Sequence, residues 1–210
     1  MVQKLKAKRG RPRTYDPEVA LGNALAAFWD GGYAATSLDD LSAATGMNRP
    51  SLYAAFGDKH ALYSAALERY RAMGRDAVRA AITGGKPLRE FLRGVYDGAL
   101  SLYFSGRGEA RGCFLIGTAL TEAVRDPALR DALSDSLREI DQAFAARFRS
   151  AAAHGELPAG AKPASLAKLA VAVLYFLAIR SRAGESRAAL KAMTEDALDL
   201  ICGPAPRRRG

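Results

Sequence analysis

A chain of 210 residues has room for one mid-sized domain, or a small domain joined to a larger one, and can bury a core without disulfide or metal staples. Ala, Leu and Arg dominate while Val, Ile and Thr are sparse, which favours helix throughout and leaves little for a sheet. The net charge of +9 sits at the ends, on Lys4, Lys6, Lys8, Arg9, Arg11, Arg13, Arg207, Arg208 and Arg209; setting these aside leaves 22 basic against 22 acidic residues, which excludes a uniformly cationic surface and implies a polyanion met by the ends.

Residues 1–15 carry no acid and are expected to form a disordered basic arm. No apolar segment follows those charges, so they do not open a signal peptide. Within the arm, Arg9-Gly10-Arg11-Pro12-Arg13 contains an R-G-R-P core that resembles the AT-hook, an extended segment that enters the minor groove of A·T-rich DNA. Glycine lets the backbone approach closely, and arginine seeks the negative potential there. A nonspecific phosphate-binding tail is the alternative. Asp16-Pro17 opens the first long helix, with Asp as cap and Pro at the first helical position. Leu21, Leu25 and Phe28 mark its buried stripe, Gly31-Gly32 stop it, and Trp29 is expected to pack around the unit that follows.

The stretch from Gly32 to Tyr63 reads as two short helices around a tight turn. Ser37 caps the first, with Asp40 placed for a capping box, and Gly46 ends it in a left-handed conformation. Asn48 caps the second and Pro50 lies in its first turn. Leu52 and Phe56 face inward together; Arg49, Ser51 and Tyr53 lie on the other face. This is a helix-turn-helix pattern, or else the hairpin of an ordinary α-domain. From Asp16 to His60 there are only two cations, Arg49 and Lys59, against six acids. Binding to DNA would therefore lean on the arm and on neutral donors at helix N-termini.

A long helix capped by Asp58 runs from Lys59 to about Ile82, and another from Pro87 to about Ser105 presents Phe91, Leu92, Val95, Tyr96, Ala99, Leu102 and Tyr103. Arg111 to Arg125 contains Gly112-Cys113-Phe114-Leu115-Ile116-Gly117. Asp126-Pro127 caps the next helix, which reaches about Ala153 with Leu129, Leu133, Leu137, Ile140, Phe144 and Phe148 inward. Ser165 to Arg182 is apolar on more than one face, and a last helix capped by Ser186 carries a second stripe. The longest apolar run, Leu169 to Ile179, is too short for a bilayer span of about 20 residues, so a soluble, cytoplasmic protein without membrane contact is expected. Cys113 and Cys202 make no disulfide framework. No phosphate-cradling Gly loop, H-E-x-x-H or spaced Cys/His set is present, so no catalytic, metal or cofactor site is expected.

Gly32-Tyr33, Ala35-Thr36-Ser37, Leu41, Ala44-Thr45-Gly46, Ser51-Leu52-Tyr53, Phe56, Asp58-Lys59 and Leu62-Tyr63 fall in order with the spacing of the TetR/AcrR family of bacterial transcriptional regulators. The chain resembles that family, and Gly112-Cys113 followed by an apolar pair resembles helix six of one large subgroup. The resemblance implies an all-α fold of about nine helices. A three-helix DNA-binding unit would span residues 16–58, a ligand-binding and dimerisation domain 59–204, and a basic tail 205–210. It implies a homodimeric repressor on a pseudo-palindromic double-stranded DNA operator, released by a small-molecule effector. Thr36, Ser37, Tyr53 and Lys59 would contact phosphate, and Asn48, Arg49, Pro50 and Ser51 would start the recognition helix. Pro50 and Ala54-Ala55 depart from the family pattern, so base readout would rest on few side chains, chiefly Arg49 with Asn48 or Ser51; Arg49 suits guanine or a phosphate equally. A pocket would draw on Phe91, Arg93, Tyr96, Tyr103, Phe114, Glu122, Phe144 and Phe148, residues that also suit a plain core. The last two helices would pair across the dimer through Leu169, Val173, Leu177, Leu190, Met193, Ala197, Leu200 and Ile201. Cys113, at a helix start beside Arg111, is either inert packing or an electrophile or redox sensor. A nucleoid-type binder of A·T-rich DNA is a further alternative.

Overall fold

A computed structural model describes residues 15–106 and 109–204; the arm arginines Arg9, Arg11 and Arg13 and the tail lie outside those residues. The described residues form helices and no strand. The order is α1 (Pro17–Gly31), α2 (Leu38–Thr45), α3 (Arg49–Phe56), α4 (Lys59–Thr83), α5 (Leu88–Tyr103), a π-helical turn (Leu115–Ala119) running into α6 (Leu120–Glu122), α7 (Pro127–Ala153), α8 (Pro163–Arg182) and α9 (Arg187–Cys202). The starts follow from local chemistry. Asp16, Asn48, Asp58, Asp126 and Ser186 each accept backbone N–H groups of the first turn, and Ser37 with Asp40 closes a reciprocal capping box. Gly46, at φ +68°, ends α2.

One core runs through the molecule. α1, α2, α3 and the start of α4 enclose Ala24, Phe28, Leu41, Leu52, Leu62 and Tyr63. α5, α7, α8 and α9 enclose Phe91, Tyr96, Phe144, Phe148, Leu177, Leu190 and Ile201. The aromatic chain Phe28, Tyr63, Phe114, Tyr70 and Trp29, with neighbouring centroids 4.9–5.9 Å apart, joins the two regions.

Within Arg111 to Arg125 one unbroken helical run forms, from Phe114 through the π turn into α6 at Glu122, after Gly112 at positive φ. Two expectations are corrected. α8 begins at Pro163, not Ser165, with proline in its first turn, and its 20 residues do have the length and apolar composition of a bilayer span. It is nevertheless a packed helix, burying Ala167, Ala170, Val171, Leu174, Leu177, Ala178 and Ser181. Finally, Trp29 leaves the three-helix unit: its indole N–H donates to the Gly112 carbonyl at 3.0 Å.

Candidate nucleic-acid interface

The two short helices hold their outward residues by burying the inward ones. Leu41 of α2, Met47 of the turn and Leu52 of α3 are buried, while Arg49, Tyr53 and Asn48 are exposed and Ser51 is half-buried. Pro50, in the first turn of α3, is also exposed. Asn48 spends its side-chain oxygen on the Ser51 N–H at 2.9 Å, which fixes the start of α3. The Tyr53 ring stands 48% exposed on the same outward side. Lys59 lies with its ammonium 4.6 Å from the centre of the Tyr33 ring, held beside the start of α4.

Two expected phosphate donors are otherwise engaged. Thr36 is buried, and its hydroxyl donates to the Gly32 carbonyl at 2.6 Å. This side chain closes the α1–α2 turn and does not face outward. Ser37 is exposed, but its hydroxyl donates to Asp40 at 2.7 Å within the capping box, so the outward donors left there are backbone N–H groups of the first turn of α2.

The acids of this region are all committed. Asp16 and Asp58 cap helices, and Asp40 is in the box, its pKa lowered by the Ser37 hydroxyl and N–H. Glu18 pairs with Arg69 and Asp30 with Arg111. Asp39 takes both Nε and Nη2 of Arg49, at 3.0 and 2.7 Å, which raises the Arg49 pKa. Glu18, Asp30 and Asp39 are thus ion-paired, while Asp16, Asp40 and Asp58 keep their negative charge as caps. Sequence reasoning missed Asp39, and no spacing rule links an acid in one helix to an arginine ten residues on.

Away from the short helices, the eight residues expected to line a pocket do not share one cavity wall. Phe91 packs on Phe144 at 5.8 Å, with Phe148 and Tyr96 buried in the same region. Tyr96 donates to the Ala170 carbonyl. Phe114 belongs instead to the aromatic chain around Trp29 and Tyr70. Tyr103 is buried beside Cys113, and its pKa is pushed well up by burial. Arg93 turns outward to pair with Glu195 of α9, and Glu122 is half-buried at the end of α6. A separate polar cleft opens at the ends of α5 and α8, beside Phe104, Glu109, Ser181, Arg182 and Glu185.

Cys113 is buried, and burial pushes its thiol up despite the hydrogen bond donated by the Tyr70 hydroxyl at 3.2 Å. This overturns the argument that a helix start and Arg111 would activate it: desolvation wins, and the sensing alternative is not favoured. Of the residues expected across a dimer, Leu177, Leu190 and Ile201 are fully inside the protomer. Leu169 and Leu200 are exposed, and Val173, Met193 and Ala197 are half-buried. Phe176 and Ile179, missed in the sequence, add 39% and 55% exposed apolar side chains to α8. Their positions fell between those assigned to the inward stripe of a helix apolar on several sides.

Residues 21–66 match the model for bacterial regulatory proteins of the tetR family, and residues 87–197 match that for the tetracyclin repressor-like C-terminal domain. The HTH-type transcriptional repressor ComR of Escherichia coli (strain K12) is 30% identical over 184 residues, 88% of each chain. The HTH-type transcriptional repressor BdcR of the same organism is 36% identical over 124 residues, 58% of this chain and 60% of that one. A cysteine mutant of the TetR family transcriptional regulator CifR, complexed with 26bp double-strand operator DNA, superposes with a TM-score of 0.79 at 34% identity, covering 90% of this chain and 98% of that one. The length and order of the helices, the capped helix-turn-helix and these similarities agree, and the chain belongs to the tetR family of bacterial regulatory proteins.

Proposed function

We propose that the protein is a homodimeric transcriptional repressor, with residues 16–58 as its reading head and 59–204 as a regulatory, dimer-forming body. The observation that carries this is the outward start of α3: Asn48, Arg49, Ser51 and Tyr53 stand on a helix anchored from behind by Leu52. The similarity to repressors and to a regulator on operator DNA supports the same reading. Two such helices in a dimer would enter successive major grooves of a pseudo-palindrome, about 34 Å apart. The Arg9-Gly10-Arg11-Pro12-Arg13 arm would add minor-groove contact.

A small-molecule effector would enter the body by parting Phe91 from Phe144 and would favour a spacing of the heads that no longer fits the operator. Its effect is bounded by its preference between the two states. The protein would act in the cytoplasm as a soluble DNA-binding protein, with no catalytic step. The test is to let purified protein select from sheared genomic DNA of its source and to sequence what is retained. A short palindromic site is expected. Broad retention of A·T-rich DNA without a motif would replace this reading with arm-driven architectural binding.

A further inference from the structure

The Arg49–Asp39 contact crosses between helices, from the first residue of α3 to the first turn of α2. Both side chains stand in solvent, 54% and 74% exposed. An ion pair this exposed is screened by solvent, so the fold gains little from it. Its geometry matters more. Arginine has five N–H donors in a planar fork. Asp39 takes the Nε–H and one Nη2–H, and the edge formed by Nη1 and the second Nη2–H remains, directed away from the carboxylate. Such an edge matches the O6 and N7 acceptors of guanine in the major groove.

Arg49 is the one charged side chain of α3, and the only one with a forked set of donors. Asn48 has its oxygen committed to the cap and keeps its amide donors, Ser51 and Tyr53 each offer a single hydroxyl, Pro50 has no donor, and Ala54-Ala55 have no polar side-chain atoms. Asp39 also lies two residues beyond Ser37, at the end of α2 whose N–H groups suit a phosphate. An unpaired carboxylate there would repel that phosphate; paired with Arg49 it is neutralised.

We infer that Asp39 is a positioning residue for base readout: it grips Arg49 side-on and presents the remaining guanidinium edge to one guanine in each half-site. The pair stays closed on DNA and commits Arg49 to a base, not to the backbone. This rests on the operator-binding function proposed above. The opposed arrangement, in which Asp39 is a latch that releases Arg49 on binding, makes the contrary prediction that removing the acid tightens binding to every duplex alike.

The test uses the full-length dimer and its Asp39→Asn and Asp39→Ala variants, each allowed to select from duplexes with a randomised core at one salt concentration. The selected site is then remade with 7-deazaguanine, which lacks only the N7 acceptor. Wild type is expected to select one guanine per half-site and to lose about tenfold in affinity on its replacement. Both variants should lose the preference at that position alone, and their response to 7-deazaguanine should fall to about twofold or less. A role confined to stabilising α2 would lower the melting temperature and weaken all duplexes equally, which overturns the inference. It also fails if the variants keep the guanine preference and the N7 response, or bind every duplex more tightly. Failure of the wild type to select any motif removes the operator reading itself, and that result is visible before any variant is made.

Discussion

Gly112 has no room for a side chain. Its φ is +63°, and a Cβ there would stand 2.7 Å from the Ala178 carbonyl oxygen, while its own carbonyl accepts the Trp29 indole. Gly112→Ala is therefore expected to cost about 1–3 kcal/mol, through the strained backbone and the displacement of α8. The molecule has a single tryptophan, Trp29, so urea unfolding followed by its fluorescence reads the loss at the site of damage. The adjacent Cys113 is predicted to be slow toward electrophiles in the folded protein, because burial raises its thiol pKa. Mass-spectrometric labelling should show its rate rising only on unfolding, and Cys113→Ser should keep whatever effector response the wild type shows. Among single residues, the caps Asp16, Ser37, Asn48, Asp58, Asp126 and Ser186 were all legible, since their roles depend on neighbours within three residues. Thr36 and Arg93 were not. Their partners, the Gly32 carbonyl and Glu195, depend on a turn and on a packing of α5 against α9 that no local pattern encodes.

Between elements, Glu156 fastens the end of α7 to the start of α5. Its carboxylate accepts the Leu88 N–H and pairs with the buried Arg147 guanidinium at 3.0 Å. Partial burial pushes the Glu156 pKa up, but Arg147 and the Leu88 N–H outweigh it, leaving it below the 4.5 of a free glutamate. A lowered folded pKa contributes stability that is complete above the unfolded value and lost as pH falls through the folded one. Glu156→Gln should therefore lower the melting temperature at pH 7, and the gap to wild type should close as the pH is taken below the glutamate range. Helix existence was readable wherever a stripe ran for several turns, as in α5, α7 and α9. At residues 111–125 it was readable too, but the π-helical register of Leu115–Ala119 was not, because no local pattern marks it. The inward face was ambiguous in α8, whose apolar residues surround the helix, so inward and outward members could not be told apart until the neighbours were placed.

At the scale of the whole molecule, α8 presents Leu169, Phe176 and Ile179 outside the core, and α9 presents Leu200. An apolar face of this kind suits the interface of the proposed dimer. Ile179→Glu is expected to yield monomers by light scattering, with helix content retained. Operator affinity should then fall steeply, because a single head must hold DNA alone. The basic arm would contribute separately. Deleting residues 1–13 should reduce the slope of log affinity against log salt by about 0.9 for each phosphate the arm neutralises, and an unchanged slope would mean that the arm is idle.

The Trp29 bond to Gly112 bears on how such a protein changes over generations. Arg182 reaches the Trp29 and Arg111 carbonyls at the same junction, so the first helix is tied to residues more than eighty and a hundred and fifty positions away. A recombinant spliced after Asp58 would import a foreign first helix and leave either an indole donor or a buried carbonyl without its mate, at about 1–3 kcal/mol. Exchanging residues 16–58 as a unit would therefore carry a stability penalty. New operator preferences should arise by drift within α2 and α3, whereas Trp29, Gly112 and Arg182 would have to be inherited together.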